Sequence, residues 1–209
     1  MKGVEIKPDI YWVGAIDWGV RDFHGYVTPG GTTYNNYLIV DDEITLVDTV
    51  KHDFFEASYK NVASIVDPAK IRNIVINHVE SDHVSSLDRF MAVSPDAKIY
   101  ISERVRQVIE KFFDTSPWDI TVVKTGDELK LGKHTLQFIE TPMLHWPDSI
   151  MTYVPEAKLL ISQDVFGQHL ATSVRFDDEF VNCSSHAHLE EAVVDYYANI
   201  LMPFVPLIQ

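Results

Sequence analysis

Short apolar runs alternate along the chain with stretches in which apolar residues recur every three to four positions. The runs are rich in β-branched and aromatic residues and are bounded by Gly, Pro and Asp, which is typical of strands. They predict strands at 9–17, 34–41, 43–50, 71–78, 98–102, 120–126, 134–141, 149–155 and 157–164. The three-to-four spacing predicts helices at 53–66, 85–93, 103–113 and 188–202. The chain has no repeat or linker, and this mixture of strands and helices predicts the layered α/β class. The strands from residue 120 onwards are expected to form a second set.

Composition and charge narrow the range of partners. The chain has 209 residues and a net charge of -14, which argues against a nucleic-acid surface and against docking on an anionic membrane. No apolar run approaches the roughly 20 residues that span a bilayer. The single cysteine, Cys183, cannot form an internal disulfide, so a cytoplasmic protein is expected.

Two imidazoles and two carboxylates are crowded into the stretch INHVESDHVSS, directly after the apolar strand predicted at 71–78. A loop that follows a strand lies at the carboxyl edge of a sheet, where open α/β folds keep their sites. In an extended segment His78, Glu80 and Asp82 would share one side, and His83 would point another way. Two sets of ligands from one short loop fit two metal ions better than one.

Two other strand ends have similar chemistry. His145 follows a predicted strand in TPMLHWPDS, and Asp164 ends another in ISQDVFGQH. An unpaired carboxylate would be costly at the end of an apolar strand. Each of these residues alone is explained equally well by a turn or a cap. Three such strand ends together favour a metal site.

The pattern His-x-Glu-x-Asp-His at 78–83, with His145 and Asp164 in these contexts, resembles the flavodiiron proteins, also called A-type flavoproteins. The resemblance also covers DFHGY (22–26), GTTYNNYLI (31–39) and YYANILMPF (196–204), in matching order and spacing. It implies the metallo-β-lactamase-like αββα sandwich of the N-terminal diiron module in that family. Most members of the wider superfamily are zinc hydrolases with His-x-His-x-Asp-His, and Glu80 stands where their second His would be.

The resemblance implies a ligand set for two iron ions. His78, Glu80 and His145 would bind one iron, Asp82 and His83 would belong to the other, and Asp164 would bridge both. Hard carboxylate oxygen in place of imidazole suits iron that cycles between ferrous and ferric states.

The remaining histidines have weaker contexts. By resemblance His24, in DFHGY, lies near the substrate pocket, where it could hydrogen-bond a bound diatomic molecule; a loop histidine stacked on aromatic neighbours is the alternative. His169 is expected to support the ligands from outside or to be structural, rather than to be a ligand itself. His52 and His134 are expected on the surface beside charged residues.

The function implied by the resemblance is oxidoreduction. In the family, electrons reach the iron pair from FMN and reduce dioxygen to water or nitric oxide to nitrous oxide. The implied partners are an electron donor, such as rubredoxin or a reduced deazaflavin, and a second subunit in a head-to-tail homodimer. The flavin of one subunit then faces the iron pair of the other.

One departure from the family is expected to matter. The second iron of the family takes a further His from a later strand-end loop, and a flavodoxin-like FMN domain follows, whereas this sequence stops at Gln209. His186 and His188 do not have the expected context for the missing ligand. Residues 1–209 are therefore interpreted as a diiron domain with a C-terminally incomplete sandwich, without its FMN domain and inactive by itself.

Two alternatives follow from the same residues. The first is a dinuclear zinc hydrolase on the same fold, in which a metal-bound hydroxide attacks an ester or amide. Glu80 counts against it, because it makes the site harder and more anionic. The second is a catalytically incomplete fragment that binds metal weakly.

Overall fold

A computed structural model describes residues 2–23, 25–180 and 183–208, without the side chains of residues 183–185. Within these ranges the chain forms fifteen strands and six α-helices. The strands are β1 (Val4–Lys7), β2 (Ile10–Trp12), β3 (Ala15–Asp17), β4 (Asp22–Phe23), β5 (Tyr26–Val27), β6 (Thr32–Tyr34), β7 (Tyr37–Ile39), β8 (Thr45–Val47), β9 (Asn73–Ile76), β10 (Lys98–Ile101), β11 (Asp119–Val122), β12 (Glu128–Lys130), β13 (Thr135–Glu140), β14 (Ile150–Val154) and β15 (Leu159–Ile161). The α-helices are α1 (Phe55–Ala63), α2 (Ser81–Val84), α3 (Leu87–Val93), α4 (Glu103–Ile109), α5 (Cys183–Tyr196) and α6 (Val205–Ile208).

Seven strands form the first sheet, in the order β1-β2-β7-β8-β9-β10-β11. The strands from β8 to β11 run parallel, because α1, α3 and α4 return the chain to the same end of the sheet before each new strand. The expectation that the strand at 120–126 belongs to a second set is therefore wrong. The crossover through α4 places Ile120 beside Ile99 in the first sheet.

A smaller antiparallel sheet contains β12, β13, β14 and β15 in that order. The sequence pattern predicted three of these strands and missed β12. The three residues of β12, ELK, have only one apolar side chain, and Glu128 and Lys130 are exposed. The run is too short and too polar to produce a strand signal. Two further pairs, β3 with β6 and β4 with β5, lie outside both main sheets.

The core has two layers because side chains alternate along the first sheet. Leu46 and Ile74 pack with α1, α3 and α4 in one cluster, whereas Val47 and Val75 pack with the second sheet in another. On the second sheet, Met151 of β14 contacts the chain near α6. The layer order is therefore helices, sheet, sheet, helix, as the sequence resemblance implied.

Two predicted element boundaries are corrected. The run at 9–17 is two strands, β2 and β3, which belong to different sheets. They separate at Gly14, where a Cβ atom would lie 2.0 Å from the carbonyl oxygen of Tyr34, so any larger residue would clash. The helix predicted at 188–202 begins earlier, at Cys183, and continues beyond Tyr196 as a π-helical turn.

No helix in the described part of the chain is long and apolar enough to cross a membrane.

His134 was expected on the surface, and this is wrong. Its ring is buried, with Nδ1 2.8 Å from Asp41 Oδ2. The same oxygen accepts a hydrogen bond from the His134 backbone N–H at 2.8 Å. His134 therefore ties the start of β13 to the loop that follows β7, which joins the two sheets away from the histidine-rich loop.

Candidate metal centre

The loop after β9 changes conformation in the middle of its polar cluster. Glu80 is extended, with φ -63° and ψ 154°, and α2 begins at the next residue. The expectation that Asp82 shares one side with His78 and Glu80 in an extended segment is therefore wrong. Helix α2 turns Asp82 and His83 together, away from the pair that precedes them.

The first cluster contains His78, Glu80, His145 and Asp164, whose ligand atoms lie within 4.8 Å of one another. Glu80 Oε2 is 3.3 Å from His78 Nε2 and 3.5 Å from His145 Nε2. Asp164 Oδ2 is 3.6 Å and 3.2 Å from the same two nitrogens. The loop after β9, the turn before β14 and the 3-10 turn after β15 thus converge on one point.

These separations fit a shared cation. Ligand atoms that each lie about 2.1 Å from one ion are roughly 3.0–3.4 Å apart in octahedral or tetrahedral geometry. The separations across the first cluster, 3.2–3.6 Å, are close to that range. The set of two imidazoles and two carboxylates also suits iron. The first cluster therefore passes a test of both geometry and chemistry.

A second cluster contains Asp82, His83 and Asp164. His83 Nε2 is 2.9 Å from Asp164 Oδ1 and 3.6 Å from Asp82 Oδ2. The imidazole of His83 is thus turned toward the cluster. Asp164 belongs to both clusters, with Oδ2 facing the first and Oδ1 facing the second, which is the arrangement of a bridging carboxylate.

The acidic surroundings change the pKa values of the histidines. Burial alone would lower the pKa of an imidazole, but hydrogen bonds to Asp148 and Glu80 outweigh it and raise the pKa of His78 to about 9. Burial is likewise outweighed by Asp164 at His83, whose pKa is raised well above its ordinary value. Burial would raise the pKa of Asp164, but the three imidazoles hold it well below its usual range. The cluster thus favours bound cations, either protons or metal ions.

We expect the metal-free chain to lose stability as the pH rises from about 6.5 to about 9. The folded state raises the pKa of His78 from 6.5 to about 9, so its contribution is complete below pH 6.5 and disappears as the pH rises through the folded value. The measurement is the urea midpoint at several pH values in the presence of a chelator. His78→Gln should flatten the profile, and a metal-free chain that becomes more stable across this window would contradict the prediction.

Among the described residues, the candidate histidines His169 and His186 belong to neither cluster. The ring of His169 packs edge-on against Phe23, with Nδ1 3.4 Å from Thr32 Oγ1, in line with a structural role. His186 Nδ1 is 3.4 Å from Glu190 Oε1 one turn along α5. His24 lies outside the described residues, so its hydrogen bond to a diatomic molecule stays a prediction.

A cavity of about 290 Å³ opens beside the second cluster. Its lining includes His83, Asp164, Phe23 and Tyr196. Burial raises the pKa of Tyr196 well above its ordinary value, and Asp164 and Asp82 add to the rise. Tyr196 therefore keeps its phenolic proton next to the candidate centre.

Two buried carboxylates near the site were missed by the sequence analysis. Asp148 accepts hydrogen bonds from His78 Nδ1 at 3.0 Å and from the Val79 N–H at 2.8 Å. Asp48 accepts from the backbone and side-chain nitrogens of Asn77 at 2.7 and 3.0 Å. A carboxylate at the edge of an apolar run, as in LVDT and HWPDS, is the signal that could have found them.

A family model described as ODP family beta lactamase matches residues 32–199, which is most of the chain. The chain belongs to the ODP beta-lactamase family. The matched segment of this ODP module contains both candidate clusters.

Several curated relatives of the ODP module are named as oxidoreductases. It is 49% identical over 207 residues to a nitric oxide reductase of Moorella thermoacetica, covering 98% of this chain and 51% of the relative. It is 44% identical over 207 residues to the rubredoxin-oxygen oxidoreductase of Megalodesulfovibrio gigas, covering 99% of this chain and 50% of that protein. The chain therefore spans about half the length of the curated relatives that it matches.

Solved structures of flavodiiron proteins have the same fold. The rubredoxin oxygen:oxidoreductase of Desulfovibrio gigas matches with a TM-score of 0.93 at 43% identity, over 99% of this chain and 51% of the other. The flavodiiron protein of Giardia intestinalis matches with a TM-score of 0.92 at 40% identity, over 99% and 50% of the two chains. The resemblance inferred from the sequence and the expected metallo-β-lactamase-like fold are confirmed.

Proposed function

We propose that the chain is the diiron module of a flavodiiron oxidoreductase, which reduces nitric oxide to nitrous oxide or dioxygen to water with electrons from FMN. The observation that carries the proposal is Asp164, whose two oxygens face two different ligand clusters. The names of the relatives from Moorella and Megalodesulfovibrio support both reactions.

In this proposal the first iron is held by His78, Glu80 and His145. The second is held by Asp82 and His83. Asp164 is shared between the two. Glu80 favours iron over the zinc of hydrolases on this fold, because its carboxylate adds negative charge where zinc enzymes have a neutral imidazole.

When bound, two ferrous ions would supply two electrons, enough to convert two nitric oxide molecules, with uptake of two protons, into one nitrous oxide and one water. Reduction of dioxygen to water needs four electrons and so depends on resupply. The protein contributes three acidic side chains that offset the cationic charge and a partly enclosed cavity beside His83. Tyr196 adds a protonated hydroxyl to the wall of that cavity.

The proposal extends to the electron supply. FMN would supply electrons to the module, and rubredoxin or a reduced deazaflavin would reduce the FMN. A head-to-tail homodimer would bring the flavin of one subunit to the iron pair of the other. The name of the Megalodesulfovibrio relative, rubredoxin-oxygen oxidoreductase, supports rubredoxin as the donor. A cytoplasmic location is proposed with these partners.

We expect the chain to bind about two iron ions after anaerobic reconstitution with ferrous salt, as a two-metal site requires. The measurement is elemental analysis after removal of free metal, with Glu80→His as the matched variant. Replacing the carboxylate with imidazole should lower the iron content and raise the zinc content when both metals are supplied. Stoichiometric zinc without iron uptake, together with ester hydrolysis, would overturn the iron assignment.

The inactivity expected of residues 1–209 by themselves concerns repeated turnover, which needs electrons from FMN, so a single-turnover experiment can still test the reaction without FMN. The diferrous chain is mixed with nitric oxide under anaerobic conditions, and nitrous oxide is measured by gas chromatography. The two available electrons set an upper limit of one nitrous oxide per iron pair. The zinc-loaded chain should produce none. A chain that retains two ferrous ions and yet consumes no nitric oxide would contradict nitric oxide reduction.

A further inference from the structure

The turn that carries His145 is fastened to the loop that carries His78 by a side chain that is not in either ligand cluster. Asp148 follows His145 by three residues and is 4% exposed. Its Oδ2 accepts hydrogen bonds from His78 Nδ1 and from the Val79 N–H, at 3.0 and 2.8 Å. Two residues later, the Ile150 N–H donates to the Asn77 carbonyl at 2.9 Å. The turn and the loop are therefore joined on both sides of His78.

The hydrogen bond to Asp148 also determines which nitrogen of His78 faces the cluster. A carboxylate only accepts hydrogen bonds, so Nδ1 carries the hydrogen and the ring is held with Nε2 toward Glu80 and Asp164. At His83 the corresponding distance is longer, with Nδ1 3.7 Å from Asp48 Oδ2. Of these two histidines, His78 therefore has the closer supporting carboxylate.

We propose that Asp148 is a positioning residue for the first metal site, which fixes the ring of His78 and sets its place relative to His145. The inference rests on the proposed two-metal function and goes beyond its ligands. Carboxylates that orient a ligand histidine commonly change metal affinity about 10–100-fold when they are removed. The side chain of Asp148 makes no hydrogen bond to Asp82 or His83. Its removal should therefore weaken metal binding at the first site and spare the second.

The test is a titration with Co²⁺, whose visible absorption reports the ligands of each ion. His83→Ala leaves the first ligand set intact and His145→Ala leaves the second, so these variants assign the two spectral signals. In Asp148→Asn we expect the first signal to need roughly 10–100-fold more Co²⁺. The second signal should move less than about threefold, because its ligands lose no supporting contact.

Ser102→Ala is the matched control for a purely structural role. The Ser102 hydroxyl donates to the Asp148 carbonyl at 2.8 Å and accepts from the Val105 N–H at the start of α4. Its removal loosens the same turn without touching the acceptor of His78. This variant should lower the unfolding midpoint of the metal-free chain and leave both Co²⁺ signals where they are.

The outcomes separate the two proposals. If the unaltered chain binds fewer than two Co²⁺ ions, the proposed function fails. The inference is overturned if the unaltered chain binds two Co²⁺ ions and Asp148→Asn gives the same titration as the unaltered chain. It is also overturned if Asp148→Asn weakens both signals equally, because Asp148 then has no positioning role. Should Asp148→Asn fail to fold, Asp148→Glu keeps the charge but displaces the acceptor by one methylene, and it should show the same selective loss. Equal binding at both sites in that variant would also overturn the inference.

Discussion

Replacing Asp164 with alanine should empty both metal positions at once. Oδ1 faces His83 at 2.9 Å and Oδ2 faces His145 at 3.2 Å, so one substitution removes a ligand from each cluster. It also removes the carboxylate whose charge is shared between two cations. We expect the metal affinity of each site to fall by more than about 100-fold. This exceeds the roughly 10–100-fold loss that is usual when a residue that only orients a ligand is removed.

The measurement is metal content per chain after reconstitution, with two comparison variants. His83→Ala removes a ligand from the second cluster alone and should lose at most one ion. Asp119→Asn neutralises an exposed carboxylate on β11 and should keep both ions, which controls for the change in net charge. Equal and mild metal loss in Asp164→Ala and His83→Ala would contradict the bridging role.

Replacing Phe90 with alanine should destabilise the chain by about 3–5 kcal/mol, the usual cost of removing a large buried aromatic side chain. Phe90 is fully buried between the first sheet and its helices. Its ring packs edge-on against Phe55, with centroids 5.0 Å apart. The substitution would leave a cavity between α1 and α3, close to the helix that carries Asp82.

Unfolding by urea in the presence of a chelator measures this effect, because bound metal would otherwise stabilise the folded state by mass action. Phe112→Ala is the matched control, since Phe112 is 76% exposed and its removal should change the free energy of unfolding by less than about 0.5 kcal/mol. A loss below about 1 kcal/mol for Phe90→Ala would mean that the helical layer does not unfold together with the first sheet.

Much of the fold could be read from local patterns. The apolar runs predicted β7 to β10 and β13 to β15, and the three-to-four spacing predicted α1, α3 and α4. These signals are local because the alternation of side chains depends only on the backbone of the element itself. Strands β4, β5 and β12 were missed, because two or three residues are too few to show a period.

The chemistry of the site was also visible in the sequence. The order His-x-Glu-x-Asp-His, with His145 and Asp164 after later strands, was enough to predict the residues that the structure brings together. This was possible because the motif carries the family resemblance, since the strands before these loops, β9, β13 and β15, lie in two different sheets. By itself, the sequence thus determined the fold family and the set of candidate ligands.

The sequence suggested the division of these residues only through the resemblance, and the tertiary structure alone decided its geometry and the residues that support it. The start of α2 at Ser81 separates Asp82 from Glu80, and the packing of three loops turns the two oxygens of Asp164 toward different clusters. Asp148 and His134 acquire their partners across 70 and 93 residues of chain, and β11 joins the first sheet through pairing with β10. Side-chain direction and strand pairing depend on contacts between distant segments, and these exist only after the layers have packed.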